Sequence, residues 1–258
     1  MNKLLRIKML QYDVQWEDIR SNLQQLDKLY TSENISADIT LLPEMFATGF
    51  TMNPGRFTDT DIQTILHWML EKSAHSGSVL MGSVPFNDNG NYYNRLLITF
   101  KDGTHSFYNK RHLFKMGQEH QQYKPGDFRK IVTVKGWKVL PLICYDLRFP
   151  VWSRNDIDYD LLVYVSNWPA VRNDVWNTLL KARAIENQTY VAGLNRTGTD
   201  GRGIFYSGGS KVISPKGDII LEMGEKECIK TVELDGNAML EFRKKFPVLS
   251  DRDSFIIK

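Results

Sequence analysis

Apolar and polar side chains partly alternate from Arg6 to Val14 (RIKMLQYDV), a pattern that predicts a strand. In WEDIRSNLQQLDKLYTSEN, which follows, Ile19, Leu23, Leu26 and Tyr30 recur at three- and four-residue intervals, predicting an amphipathic helix. ADITLLPEMF reads as a short buried strand ending at Pro43, and DTDIQTILHWMLEKSAHSG as a second amphipathic helix. Asp59 or Thr60 is the expected cap of that helix and Gly77 its stop.

The middle of the chain reads as sheet. SVLMGSVPF and YYNRLLITF are predicted strands, KDGT (Lys101 to Thr104) a hairpin turn into HSFYNK, and KIVTVKGWKVLPLICY a pair turning near Gly136. A helix is expected after Pro150, then the strand DLLVYVSN, the helix NDVWNTLLKARAIENQ and the strand TYVAGLN. SKVISPKGDIILEM predicts a hairpin turning at Pro215 to Gly217, with CIKTVELD after it. Helices alternating with strands, with hairpins between, imply a layered α/β fold with mixed sheets rather than a parallel barrel. No repeat, low-complexity tract or linker divides the chain, so residues 1–258 are expected to form one domain.

Composition narrows the function classes. A net charge of +3, from 33 basic and 30 acidic side chains, gives no reason to expect nucleic acid or an anionic membrane as partner. No apolar run approaches the roughly 18 residues that span a bilayer. The start, MNKLLRIKMLQYDVQW, has neither a long apolar core nor a small-residue cleavage site. Two cysteines, Cys144 and Cys228, make no disulfide framework, so a reducing cytoplasm is the expectation. The scattered histidines show no metal-binding spacing, so neither metal nor organic cofactor is expected.

Chemistry concentrates after three strands. Cys144 ends the apolar run VLPLIC and precedes an expected helix start, a position that projects from the carboxyl edge of a sheet. There it is either an inert buried thiol or a nucleophile, for which the Tyr145 N–H could supply an oxyanion donor. Glu44 follows TLLP, where an acid is a cap, an ion-pair partner or functional, because an unpaired buried carboxylate is costly. Lys110 ends HSFYNK and taken alone reads as one more cation beside Arg111 and Lys115. Cys228, in GEKECIK, reads as structural or incidental.

Together these contexts resemble the nitrilase superfamily of carbon–nitrogen hydrolases. The resemblance spans almost the whole chain and rests on LLPEMF, YNKRHLF, LICYDLRFP, RAIENQTYVAGLNR and SKVISPKGDII. It implies a four-layer αββα sandwich with Glu44, Lys110 and Cys144 as catalytic triad, Glu119 in GQEHQQYKPG as a fourth polar residue, and assembly into dimers or larger homo-oligomers. It further implies a thiolate attack on an amide carbonyl, with Glu44 as base, Lys110 and the Tyr145 N–H on the oxyanion, and a thioester intermediate.

Tyr145 and Asp146 stand where nitrile hydrolases usually carry Trp-Glu, which favours an amidase. PEMFATGF, KRHLFKMGQEHQQY and SNWPAVRNDVWNTLL look like the ω-amidase branch, which implies a small-molecule substrate of the 2-oxoglutaramate type. Another carbon–nitrogen hydrolase activity, on carbamoyl or aliphatic amides, is the alternative, and a non-catalytic scaffold a more distant one. A substrate carboxylate needs a cation. Arg148 either holds that carboxylate or forms a buried ion pair supporting the loop; Arg172 either joins it or is simply exposed. Trp168 and Phe114 are candidate pocket walls.

Overall fold

The computed structural model describes residues 3–32 and 36–256. In chain order the elements begin with β1 (Leu4–Gln11), α1 (Ile19–Ser32), β2 (Ile39–Leu41) and α2 (Asp59–Ser76). Next come β3 (Val79–Asp88), β4 (Asn91–Thr99), β5 (His105–Asn109), α3 (Glu119–Gln122), β6 (Val132–Val134) and β7 (Trp137–Ile143). The second half holds α4 (Pro150–Ser153), β8 (Leu161–Ser166), α5 (Asn173–Asn187), β9 (Tyr190–Asn195), β10 (Thr197–Thr199) and β11 (Phe205–Ser207). It closes with β12 (Lys211–Ile213), β13 (Ile219–Glu222), β14 (Cys228–Asp235) and α6 (Gly236–Lys245).

Two six-stranded mixed sheets form the centre, ordered β14-β1-β2-β3-β4-β5 and β13-β12-β9-β8-β7-β6. In each, three strands run parallel (β1, β2 and β3; β7, β8 and β9) and antiparallel strands flank them. Side-chain alternation sorts the layers. Leu5, Ile7, Met9, Ile39, Leu41, Met81, Leu96 and Ile98 of the first sheet join one core with Val139, Leu140, Leu142 and the whole of Leu161–Val165. The opposite-facing Leu10, Leu80 and Leu97 pack instead with Leu23 and Leu26 of α1 and Ile62, Ile65 and Trp68 of α2. On the far side Trp176, Leu180 and Ala184 of α5 cover the second sheet. The result is the expected four-layer αββα sandwich. Strands β8 and β9 are buried on both faces, as parallel strands between layers should be.

Most predicted elements fall close to their expected places, with informative differences. The first helix was expected to reach Asn34, and its last residues lie outside the described ones. The cap of α2 is Thr58, not Asp59 or Thr60. Its hydroxyl accepts from the Asp61 N–H while the Asp61 carboxylate accepts from the Thr58 N–H, a reciprocal box that only a residue three before Asp61 can close. Gly77 ends that helix at φ 70°, as expected. The helix after Pro150 is a single turn. The β10–β11 hairpin and α6, the latter capped by Asp235, were not foreseen. Both are short or weakly apolar, so hydrophobic periodicity barely marks them.

Candidate active site

Three chain segments deliver their side chains to one place at the carboxyl ends of strands from both sheets. Glu44 comes three residues after β2, in a loop pinned to β3: Met45 N–H donates to Ser83 Oγ (2.8 Å) and Phe46 N–H to the Ser83 carbonyl (3.1 Å). Gly82 makes that close approach possible, since a Cβ there would lie 2.8 Å from both Leu42 Cβ and Phe46 Cδ1. Lys110 follows β5 directly and its N–H donates to the Asn94 carbonyl of β4 (2.9 Å). Cys144 follows β7 and opens a 3₁₀ turn, Cys144–Arg148, with φ of 42°, a left-handed backbone that non-glycine residues seldom adopt. Such a turn lifts a side chain out of the sheet edge.

Glu44, Lys110 and Glu119 are buried together. Lys110 Nζ lies 2.8 Å from Glu44 Oε1 and 3.0 Å from each oxygen of Glu119. Asn94 Nδ2 bridges the two carboxylates, donating to Glu44 Oε1 (2.8 Å) and Glu119 Oε1 (3.0 Å). The Asn167 N–H, just past β8, donates to Glu44 Oε2 (2.9 Å), and the Phe114 N–H to Glu119 Oε2 (2.6 Å). Glu119 is therefore no solvated loop acid.

Cys144 Sγ lies 3.8 Å from the Asn167 carbonyl. Burial pushes its thiol well above the ordinary cysteine range; the Glu44 charge adds to the rise and Lys110 opposes it. Burial by itself would lower the Lys110 pKa, but the charges of Glu119 and Glu44 outweigh it and raise it. Glu119 is raised, first by burial, against the pull of Lys110. At neutral pH the cluster thus holds a protonated thiol next to a lysinium clamped between two acids.

Of these groups, Lys110 and Cys144 line a pocket of about 290 Å³. Phe114, Tyr145, Arg148, Trp168 and Arg172, all expected from the sequence, line it. Arg148 stacks over the Trp168 ring at 5.1 Å and Arg172 over Phe114 at 5.5 Å. Neither makes an ion pair among the described residues, so the alternative of Arg148 as a buried structural pair finds no partner there. Arg172 is half-buried rather than simply exposed. Trp168 is buried, and its indole N–H donates to the Arg172 carbonyl (2.9 Å).

Sequence reasoning missed Phe50, whose ring lies 5.1 Å from Lys110 Nζ, and the β10–β11 tip, which brings Asp200, Arg202 and Ile204 to the rim. It also missed Asn94, which shares β4 with Asn91 and Arg95 and so carries no local mark of its buried position. Cys228 sits in β14 and forms no disulfide. No cluster suited to a metal ion occurs among the described residues.

A thiol, two carboxylates and a lysine are thus gathered at the edges of two facing sheets in an αββα fold. Residues 6–244 match the family described as carbon–nitrogen hydrolase, and the chain belongs to that family. It is 46% identical to the ω-amidase YafV of Escherichia coli K12, over 97% of this chain and 98% of that one. It is 35% identical to the 2-oxoglutaramate amidase of Bacillus subtilis, covering 95% and 96%. Among solved structures it superposes with a TM-score of 0.95 on XC1258 of Xanthomonas campestris, a CN-hydrolase superfamily protein with an arsenic adduct in its active site. The two are 39% identical, with 99% of each chain covered.

Proposed function

We propose that this chain is an ω-amidase, hydrolysing the terminal amide of a 2-oxo-dicarboxylic acid monoamide of the 2-oxoglutaramate type to the acid and ammonia. The observation that carries the reading is the Cys144 thiol, beside the buried Glu44–Lys110–Glu119 cluster, at the floor of a pocket walled by two arginines without carboxylate partners. The names of the relatives at 46% and 35% identity point the same way.

The elevated thiol pKa argues for activation during attack rather than a standing thiolate. Glu44 takes the Cys144 proton as sulfur bonds to the amide carbon. Of the three Lys110 N–H donors, one serves Glu44 and one is shared by the two Glu119 oxygens, which leaves one for the developing oxyanion. The Tyr145 N–H, in the first turn after Cys144, is the second oxyanion donor. Glu44 returns its proton to the departing nitrogen and ammonia leaves a thioester. Glu44 then takes a proton from water, the hydroxide attacks the thioester, and the acid departs as Cys144 regains its proton. Glu119 acts through Lys110, holding its ammonium in place. Arg148 and Arg172 pair with the substrate carboxylate, while Trp168 and Phe114 wall its carbon chain.

The protein is further proposed to work in a reducing cytoplasm, in keeping with two cysteines outside any disulfide. It is proposed to assemble as a homodimer through the apolar side chains exposed on α5, β13 and α6, among them Ile185, Ile219 and Leu240. Light scattering tests the assembly.

The deciding experiment is ammonia release from 2-oxoglutaramate by wild type and Cys144→Ala, beside glutamine, asparagine and a carbamoyl-amino acid. Fast, cysteine-dependent turnover of the 2-oxo amide supports the reading. A better carbamoyl substrate replaces ω-amidase with another carbon–nitrogen hydrolase activity. Turnover retained by the alanine variant overturns the mechanism.

A further inference from the structure

Asp146 lies two residues beyond the nucleophile, fully buried, and outside the pocket. Its Oδ2 accepts from the Tyr108 hydroxyl (2.7 Å) and from the Ile143 N–H (3.1 Å). Its Oδ1 accepts from the His112 N–H (2.9 Å) and lies 2.8 Å from His112 Nδ1, which against a carboxylate is the protonated ring nitrogen. The partners are telling by position. Ile143 directly precedes Cys144; Tyr108 and His112 lie two residues before and two after Lys110. One carboxylate therefore ties the turn that presents the thiol, in one sheet, to both flanks of the lysine, in the other.

The surroundings make this tie stiff. The Tyr108 oxygen accepts from Trp152 Nε1 (3.0 Å) and the Arg111 N–H (3.1 Å), so all its hydrogen-bonding capacity is used. Burial and the Asp146 charge raise its pKa and keep it a donor. The His112 ring stacks flat on Phe149, with centroids 3.7 Å apart and planes 6° from parallel, and meets Trp152 edge-on. Phe149 follows the 3₁₀ turn, so the imidazole holds that turn through Asp146 at its middle and Phe149 just past its end. The left-handed backbone at Cys144 persists only where neighbours over-determine it, and the Ile143 N–H bond to Asp146 is one such restraint.

We propose that Asp146 and His112 are positioning residues: they hold the Lys110 ammonium and the Cys144 thiol in alignment across the seam between the sheets. The proposal rests on the reading of Cys144 as nucleophile. Neither residue lines the pocket, so their loss should reach the chemistry and spare substrate binding.

The test compares His112→Phe, which keeps the stacked ring without its donor, His112→Asn, which restores a donor, and Asp146→Asn. Each is followed by turnover of 2-oxoglutaramate, thermal melting and the pH profile of Cys144 alkylation by iodoacetamide. His112→Phe should melt near wild type and lose on the order of 10- to 100-fold in kcat, the scale of a small misplacement of reacting groups. Its KM should stay within about twofold, as expected when only transition-state interactions are lost. His112→Asn should recover most of the rate. The alkylation profile of His112→Phe should move to higher pH, because Lys110 is the group that draws the thiol pKa down against Glu44 and Glu119. Folded variants with wild-type kcat and alkylation profile overturn the proposal. So does a KM that rises as kcat falls, or an asparagine variant no better than phenylalanine. If Asp146→Asn does not fold, the His112 pair decides. If wild type leaves 2-oxoglutaramate untouched, it is the ω-amidase reading that fails, and the alkylation profiles still decide this one.

Discussion

Replacing Lys110 with methionine removes the single cation between two buried carboxylates while nearly preserving side-chain length. Breaking a buried ion pair from one side costs about 3–5 kcal/mol. The pH dependence of that cost follows from the geometry. Without the ammonium, Glu44 and Glu119, bridged only by Asn94 Nδ2, cannot both stay ionised in a site closed to water. One of them must then hold a proton in the folded state, its pKa raised by burial and by the charge of the other. A folded pKa raised above the unfolded one means stability that is full below the unfolded value and lost as pH rises through the folded one. The ion-pair cost of about 3–5 kcal/mol is therefore felt toward pH 8, where the acid is ionised in the unfolded chain, and shrinks toward pH 5. For a chain of 258 residues, each kcal/mol moves the melting point by about 2–4 °C. Differential scanning calorimetry should therefore find Lys110→Met about 6–20 °C below wild type at pH 8, and a smaller deficit at pH 5. Wild-type Lys110, whose own pKa is raised, contributes its full stabilisation across this range. Catalysis should be absent at both pH values, since acid restores the fold without restoring the oxyanion donor. A melting deficit that is constant with pH, or larger at pH 5, would refute the reasoning.

Three further outcomes are expected. Arg148→Leu should raise KM for an anionic 2-oxo amide about 10- to 100-fold, the worth of a charge-assisted hydrogen bond, with little change in kcat and none in KM for a neutral amide; steady-state kinetics on the two substrates separates these. Glu44→Gln should abolish ammonia release while leaving the protein folded, because the amide keeps the side chain's shape but cannot take the thiol proton; the same ammonia assay with a melting curve checks it. Thr58→Ala should cost about 1 kcal/mol by opening the cap of α2, seen as a melting point lower by about 2–4 °C, with activity unchanged because the cap is remote from the pocket.

How much of this was legible in the sequence depended on whether a residue's role is local. Cys144 could be placed at a strand end because the apolar run before it is long and Pro150 follows it, and the structure puts it there. Glu44 and Lys110 looked bland alone; what makes them partners is a 2.8 Å approach between residues 66 apart in the chain, and no local pattern encodes that distance. Arg148 could be flagged as a cation near the thiol, yet only the fold shows Trp168 under it and no acid beside it. Asp146 is marked in the sequence as a departure from Trp-Glu, but three of its four donors come from Tyr108 and His112, on a segment more than 30 positions away. The Thr58 cap was misplaced by one residue because three adjacent polar residues offer similar side chains and only the Asp61 return bond selects among them.

The division of Glu44, Lys110 and Cys144 between two sheets bears on how the molecule comes to life. Glu44 and Lys110 belong to the first sheet and Cys144 to the second, so neither half assembled alone contains an acid next to the thiol. Closing that seam joins residues far apart along the chain, the slowest kind of step in folding. A nascent chain with one sheet formed carries an ordinary, idle sulfhydryl. On the proposed mechanism, reactivity should switch on only when the sandwich shuts, so that ammonia production would time the final docking event during refolding.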